Sequence, residues 1–186
     1  FSDSVAQPVF NTGADYCYYY KSHKQNSIKS ISSGGPTHSF DVIDYKFYLD
    51  IYKCFKIPFP KSFTASLVIK LKVDSLLSSI KLDAGSYSLT VDSVRLAGVS
   101  FTHSNNNLNI ALNRTYNPGE TLDVKIYYRR KEVTDMAFYS LGGAVFTNCE
   151  PDGSRNWYPC WDKPNDKATM DLTAKVPSNV RLGSNG

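Results

Sequence analysis

The stretch TNCEPDGSRNWYPCWDKP, at positions 147–164, concentrates the residues of this chain whose types could do chemistry. Two cysteines, an arginine and several carboxylates lie there among aromatic side chains and prolines. Such a set could form a metal site, a disulfide loop, a catalytic loop or a packed structural loop. Residue spacing distinguishes among these alternatives.

A metal site is not predicted. Zinc in proteins needs closely spaced ligands, such as H-E-x-x-H on a helix or two C-x-x-C pairs. His23, His38 and His103 are isolated among polar residues, and we interpret them as exposed loop residues. Cys149 and Cys160 are separated by ten residues, and no second cysteine pair accompanies them.

No catalytic residue is predicted either. Cys149 is followed by Glu150, and a neighbouring carboxylate raises a thiol pKa, which is the wrong direction for a nucleophile. No G-x-S-x-G motif is present. We interpret Cys149 as a small buried side chain or as half of a disulfide, and the sequence leaves open whether it pairs with Cys160. The isolated pair Gly142-Gly143 predicts a turn or bulge rather than a phosphate loop.

The composition is that of a globular β-rich protein. The 186 residues are 41% hydrophobic and 13% aromatic, with a net charge of +4. The densest basic group, at 129–131, is interpreted as a solvated strand end, because a nucleic-acid surface needs many clustered cations. No apolar run approaches the ~18 residues of a membrane helix. Neither nucleic-acid binding nor a membrane span is expected.

The elements that must position the 147–164 stretch are predicted to be strands. Residues 1–38 lack periodicity and include a Ser/Gly-rich segment, so we interpret them as a leader or linker. Apolar residues then alternate with polar ones in several segments, which are 43–51, 63–73, 80–84, 89–96, 108–112, 122–128 and 169–176. Short alternating strands separated by turn residues favour an all-β fold, as an antiparallel β-sandwich or barrel.

The 147–164 stretch itself is predicted to be a rigid irregular loop. It follows a strand-like segment at 144–147, opens with the turn residues Pro151-Asp152-Gly153 and continues with bulky aromatics and prolines. Arg155 and Asp162 are spaced so that they could hydrogen-bond the carbonyls and amides of this loop. A loop that is costly to order usually serves a site or an interface.

The wider segment Phe146–Leu172 resembles a family signature, approximately F-x-Q-x-[EQ]-x-x-x-x-R-x-x-[FY]-P-C-x-D-x-P-x-x-K-A-x-F. The matching positions are Phe146, Glu150, Arg155, Tyr158, Pro159, Cys160, Asp162, Pro164, Lys167 and Ala168. The chain departs from the pattern at Asn148, where Gln is favoured, and at Met170, where Phe is usual. The pattern is similar to that of the N-terminal domain of M1-family zinc aminopeptidases (gluzincins such as aminopeptidase N).

This resemblance implies a saddle-like antiparallel β-sandwich over 39–186 that is truncated at its C-terminal end. It implies that Glu150 binds the free α-amino group of a peptide substrate, since a cationic amine in a cleft needs a carboxylate partner. The remaining matched positions would form a structural loop, with members Arg155, Tyr158, Pro159, Cys160, Asp162 and Pro164. Zinc would belong to the parent protein's own catalytic domain, whose H-E-x-x-H and G-A-M-E-N motifs are absent here, so this chain alone is expected to be inactive.

Two other interpretations stay open. The domain could be a non-catalytic M1-like binding or scaffold module, or a separate adhesion or carbohydrate module with surface aromatics such as Tyr48 and Tyr52. The Ser/Gly-rich leader suggests a secreted, periplasmic or cell-envelope protein, with a cytoplasmic location as the alternative. The residues do not indicate which substrate side chain would be preferred.

Overall fold

Ten β-strands and two short 3-10 helices make up the regular structure of residues 38–150 and 152–184 in the computed structural model. Outside these ranges the structure describes only Asp15 and Tyr19, both helical, so nearly all of the predicted leader lies outside the described residues. The strands are β1 (Phe40–Asp50), β2 (Phe63–Val73), β3 (Leu77–Asp83), β4 (Leu89–Arg95), β5 (Ser100–Ser104), β6 (Asn107–Tyr116), β7 (Thr121–Arg130), β8 (Phe138–Leu141), β9 (Ala144–Thr147) and β10 (Thr169–Lys175). The 3-10 helices span Tyr52–Phe55 and Ser154–Asn156. The predicted all-β fold is confirmed.

The strands form two main sheets and a hairpin. The larger sheet has the order β10-β1-β2-β7-β4, the smaller one has the order β3-β6-β5, and β8 pairs with β9. Pairing is antiparallel, as predicted, except between β1 and β10, which run parallel. A parallel pair needs a crossover connection. Here nearly the whole domain separates the two strands, and the segment after β9 completes that connection.

The core lies between the two main sheets. All six predicted apolar positions of β2 are buried: Phe63, Ala65, Leu67, Ile69, Leu71 and Val73. One continuous hydrophobic cluster joins them to residues of β3 and β6 in the smaller sheet, including Ile80, Leu82, Leu108 and Ile110. Because strand side chains alternate between faces, each sheet contributes one apolar face to a sandwich-like core.

A β-bulge in β1 changes which residues face that core. The register against β2 shifts between Val42 and Asp44, so Ile43 is the extra residue. Phe40 and Val42 are buried before the bulge, whereas Phe47 and Leu49 are buried after it. The sequence predicted an unbroken alternation that began at Ile43, but Ile43 is only half-buried because one inserted residue reverses the alternation.

Arg130 corrects the interpretation of the basic group at 129–131 as a solvated strand end. Its side chain is completely buried, at the last inward-facing position of β7. The guanidinium donates to Asp135 Oδ2 at 2.5 Å and to the Lys61 carbonyl at 2.8 Å. A buried cation is tolerated only when its donors find such partners. Arg129, on the opposite face, is exposed and paired with Asp92.

The hairpin turns are close to prediction, although two strands were missed. Gly142 and Gly143 join β8 to β9 with φ angles of 58° and 81°, as a two-residue hairpin turn requires. β5 was not predicted because its sequence, SFTHS, is mostly polar, and it lies at the edge of the smaller sheet. β8 was not predicted because it has only four residues.

Truncation of a core side chain in β2 should destabilise the domain strongly. We expect Leu67→Ala to lower the free energy of unfolding by about 2–5 kcal/mol, because the fully buried side chain leaves a cavity. Val68→Ala, on the opposite face of the same strand, should cost less than about 1 kcal/mol. Urea unfolding followed by circular dichroism measures both values, and equal losses would contradict the assigned strand orientation.

Candidate functional site

The segment from Asn148 to Ala168, called the connecting loop below, joins β9 to β10 and contains the matched signature residues except Phe146, which lies in β9. Its regular structure within the described residues is limited to the 3-10 helix Ser154–Asn156 and an isolated bridge at Cys160. A loop of this length needs specific interactions to hold one conformation. Three groups of contacts provide them.

The first group surrounds Arg155. Its Nε donates to Asp162 Oδ2 at 2.7 Å, and its Nη1 lies 3.2 Å from Asp83 Oδ1 at the end of β3. Asp152 is a more distant and more exposed partner, at 3.7 Å. Burial alone would lower the pKa of Arg155, but the hydrogen bond that Arg155 donates to Asp162 and the charge of Asp83 outweigh it and raise that pKa. The guanidinium therefore stays charged and ties the loop to the smaller sheet.

The second group consists of backbone hydrogen bonds between the loop and the end of β3. The Asp83 N–H donates to the Cys160 carbonyl at 2.7 Å, and the Cys160 N–H returns a bond to the Asp83 carbonyl at 2.9 Å. Asp83 Oδ2 also accepts from the Asp162 N–H at 3.1 Å. The Gly85 N–H donates to the Arg155 carbonyl at 2.8 Å. A Cβ at Gly85 would lie 2.6 Å from Asn156 Oδ1 and 2.8 Å from Ser88 Oγ, so a larger residue would have to displace these side chains.

The third group is aromatic and fixes the loop against β1. The Trp157 ring stacks on Phe47 with centroids 5.6 Å apart, and Tyr158 meets Phe47 edge-on at 4.9 Å. The Tyr45 hydroxyl accepts a hydrogen bond from the Trp161 N–H at 3.1 Å. Burial raises the pKa of Tyr45 and of Tyr158 well above the ordinary tyrosine value, so both phenols are neutral and act as packing groups.

Two histidines depart from the interpretation as exposed loop residues. His38 Nε2 lies 2.8 Å from Asp166 Oδ2, and the His38 ring packs on Phe40 and Trp161. His103 is half-buried in β5, and its Nε2 lies 3.1 Å from the Ala84 carbonyl. Their burial depends on partners far away in the sequence, which polar neighbours do not reveal. His23 lies outside the described residues.

The described cysteines, Cys54, Cys149 and Cys160, are free thiols, which answers the question left open about Cys149 and Cys160. Burial raises the pKa of both of these thiols, and that of Cys54 to about 11. They are therefore protonated near neutral pH. Among the described residues, no three His, Cys, Asp or Glu side chains are grouped so that they could hold a metal ion.

Glu150 occupies an exposed turn three residues after β9. The residues before it are fixed: the Asn148 N–H donates to the Ala137 carbonyl at 3.0 Å, and the Cys149 Sγ accepts from Trp157 Nε1 at 3.1 Å. Gly153 folds back beneath them, so that a Cβ there would lie 3.2 Å from Cys149 Cα. A carboxylate on so constrained a backbone is suited to binding a cationic group at a defined position.

The structure thus places the predicted loop residues in different environments. Arg155 and Asp162 pair with each other, Tyr158 packs on the core, and Pro159 and Cys160 are buried, whereas Pro164 is exposed. Asp83 was missed by sequence reasoning because it lies 79 residues before its loop partner Asp162. Asp166 was also missed, and its Oδ2 accepts from the Val42 N–H at 3.2 Å.

A cavity of about 780 Å³ lies beside the connecting loop, between it and the paired strands β1 and β10. Its walls include Tyr45, Tyr158, Trp161 and Met170. Glu150 does not line this cavity. The amine-binding role predicted for Glu150 therefore concerns a different surface of the loop.

Comparison with known proteins identifies the family. The sequence profile of the Peptidase M1 N-terminal domain matches residues 43–186, which is most of the chain. The chain belongs to the family of N-terminal domains of M1 peptidases, and the predicted resemblance is confirmed. Comparison with curated proteins gives no match.

Solved structures of M1 zinc metallopeptidases share the fold. An M1 zinc metallopeptidase from Deinococcus radiodurans is 23% identical, with a TM-score of 0.65 over 75% of this chain and 33% of that chain. A variant from the same organism, bound to a Tyr-Ser-Ala substrate, is 24% identical, with a TM-score of 0.66 over 75% of this chain and 33% of that chain. A two-domain M1 zinc metallopeptidase variant bound to L-tryptophan is 22% identical, with a TM-score of 0.67 over 76% and 34%. The present chain therefore spans about a third of the length of these structures.

Neutralising Asp162 should loosen the connecting loop and destabilise the domain. We expect Asp162→Asn to cost about 2–3 kcal/mol, somewhat below the loss for a fully buried pair, because Arg155 keeps some contact with water. The matched control is Asp92→Asn, which breaks the exposed pair with Arg129 and should cost less than about 1 kcal/mol. Chemical unfolding of both variants provides the comparison, and a cost for Asp162→Asn no larger than that of the control would be inconsistent with this bracing role.

The described thiols should react slowly with alkylating reagents in the folded chain. Because its pKa is raised above the ordinary 9.0, Cys149 forms less thiolate at pH 8 than a free cysteine does, and its alkylation rate should keep increasing above pH 9. The buried Cys54 and Cys160 should react only after unfolding. Iodoacetamide labelling with peptide mass mapping tests this order, and rapid labelling of Cys160 in the folded chain would show the burial to be wrong.

Proposed function

We propose that this chain is the N-terminal domain of a zinc-dependent M1 aminopeptidase, which removes N-terminal residues from peptides, and that Glu150 binds the substrate's α-amino group. The observation that carries the proposal is the placement of Glu150. It is an exposed carboxylate on a turn whose neighbours are fixed by Trp157, Gly153 and the Ala137 carbonyl. Membership of the M1 N-terminal domain family and the signature match around Glu150 support the same role.

Electrostatics supports binding of an amine here. The Arg155 guanidinium would repel a cation, but Asp83, Asp152 and Asp162 lie around it. Three carboxylates against one guanidinium leave this network with a net charge of −2 (one minus three). A net negative charge in the network that braces this loop would attract a protonated α-amino group and disfavour the carboxylate end of a peptide.

The zinc ion that the family implies does not fit the described residues of this chain, because they provide no ligand group for a metal. We propose that the parent protein's own catalytic domain holds the zinc and that the present domain covers the active site. In this scheme Glu150 fixes the amine, which places the first peptide bond of the substrate for hydrolysis. The present domain alone would bind no metal and would be inactive. One related M1 peptidase variant was crystallised with a Tyr-Ser-Ala substrate, which supports a peptide as substrate.

No helix in the described part of the chain is long and apolar enough to cross a membrane. A secreted or cell-envelope location remains our proposal, on the basis of the Ser/Gly-rich segment in the sequence.

Removal of the Glu150 carboxylate should weaken the complete peptidase. We expect Glu150→Ala and Glu150→Gln to lower kcat/KM on an aminoacyl anilide. The corresponding loss of transition-state binding should be about 2–4 kcal/mol, since each substitution removes one partner of a charge pair. The control Asp123→Ala removes an exposed carboxylate from the outer face of β7 and should leave kcat/KM unchanged.

Wild-type kcat/KM in both Glu150 variants would refute the anchor. A complete protein that has no activity with the wild-type residue would instead favour the alternative, a non-catalytic M1-like binding module.

A further inference from the structure

One contact immediately before Glu150 is made by side chains outside the matched signature positions. The indole Nε1 of Trp157 donates a hydrogen bond to the Sγ of Cys149 at 3.1 Å. Cys149 is bonded directly to Glu150, so this contact holds the backbone from which the Glu150 side chain projects. Neither Trp157 nor Cys149 is among the residues that match the family signature.

Trp157 is itself immobile. It is 9% exposed, and its ring stacks on Phe47 with an interplanar angle of 21°. The Trp157 N–H donates to the Ser154 carbonyl at 3.0 Å, which places the residue at the end of the 3-10 helix that carries Arg155. The position of Trp157 is thus determined by its packing on Phe47 and by its backbone hydrogen bond to the 3-10 helix.

The Cys149 sulfur is the partner that this indole needs. A buried indole N–H normally finds an acceptor, and loss of that acceptor leaves an unsatisfied polar group. Sulfur is a weak acceptor, so the contact adds little stability. It does orient the Cys149 side chain toward the Trp157 indole. Gly153 limits Cys149 from the other side, since a Cβ there would lie 3.2 Å from Cys149 Cα. The residue before Glu150 is therefore held at both its side chain and its backbone.

We propose that Trp157 is a positioning residue for substrate-amine recognition, acting through the Cys149 sulfur to fix the orientation of Glu150. The inference rests on the proposed function, in which Glu150 binds the α-amino group. Loss of the indole N–H leaves the carboxylate in place but lets the turn move. Substrate binding then weakens, while the chemical step, which is carried out elsewhere, changes less. The effect should appear chiefly in KM.

The test is Trp157→Phe in the complete peptidase, with KM and kcat measured on an aminoacyl anilide. Phenylalanine keeps an aromatic ring against Phe47 but removes the N–H donor. We expect KM to rise about tenfold with a much smaller change in kcat, since a displacement of about 1 Å in a positioned group can cost up to about 100-fold. Trp161→Phe is the matched control, because its indole contacts Asn165 at 3.4 Å rather than Cys149, and KM should stay at the wild-type value.

A double-mutant cycle distinguishes failure of this inference from failure of the anchor itself. In a Glu150→Ala background, Trp157→Phe should have no further effect on KM, because the group it positions is gone. If Glu150→Ala alone leaves kcat/KM unchanged, the proposed anchor is refuted. If Glu150→Ala raises KM but Trp157→Phe raises it by the same factor in both backgrounds, the anchor stands and the positioning role is overturned.

A second pair of variants guards against a folding defect at Trp157. Cys149→Ala removes the acceptor and should reproduce the rise in KM, whereas Cys149→Ser supplies a hydroxyl acceptor and should recover part of the loss. In the isolated chain, the indole N–H resonance of Trp157 should shift in Cys149→Ala and stay in place in Cys54→Ala. An unmoved resonance together with wild-type KM in Cys149→Ala would overturn the proposal.

Discussion

The geometry of the connecting loop depends on one guanidinium. Arg155 is paired with Asp162 within the loop and with Asp83 at the end of β3, and its backbone carbonyl accepts from Gly85. Ordering the loop from β9 to β10 costs much conformational entropy, and its little regular structure does not offset that cost. The contacts of Arg155 help to offset it. A partly buried ion is tolerated when it has charged partners, and here the guanidinium pairs with both acids, although its buried Nη2 makes no hydrogen bond within the described residues. The aromatic packing and the Cys160 bridge add to a position that this network defines.

The strands were largely predictable because their physics is local. Alternation along β2 and β7 reflects one face against the core and one face against water, and that period can be read without tertiary information. The failures have non-local causes. Arg130 occupies an inward-facing position whose compensation comes from Asp135 and the carbonyl of Lys61. The bulge at Ile43 and the parallel pairing of β1 with β10 depend on partner strands that a single segment does not specify.

The residues of the candidate site also divide into those that local sequence indicated and those that depend on distant segments. Spacing within the loop was enough to mark Arg155 and Asp162 as bracing residues, but it pointed to bonds with the loop backbone and not to a pair with each other. Asp83 and the partnership of His38 with Asp166 join segments far apart in the chain, so the sequence carried no signal for them. Local reasoning would have left Glu150 as a solvated turn residue. Only the resemblance to the M1 signature assigned it a role.

The connecting loop is held by two kinds of contact, one ionic and one neutral. The loop needs the Arg155 cation to stay folded. Asp83 and Asp162 engage the Arg155 guanidinium at 3.2 and 2.7 Å and so hold the loop in place. Cys149 is held by neutral groups instead, since its sulfur accepts from an indole N–H and a Cβ at Gly153 would lie only 3.2 Å from its Cα. The ion pairs of Arg155 fix the loop, and the neutral contacts fix Cys149, the residue immediately before Glu150. Ionic and neutral contacts together thus make the backbone of this loop rigid.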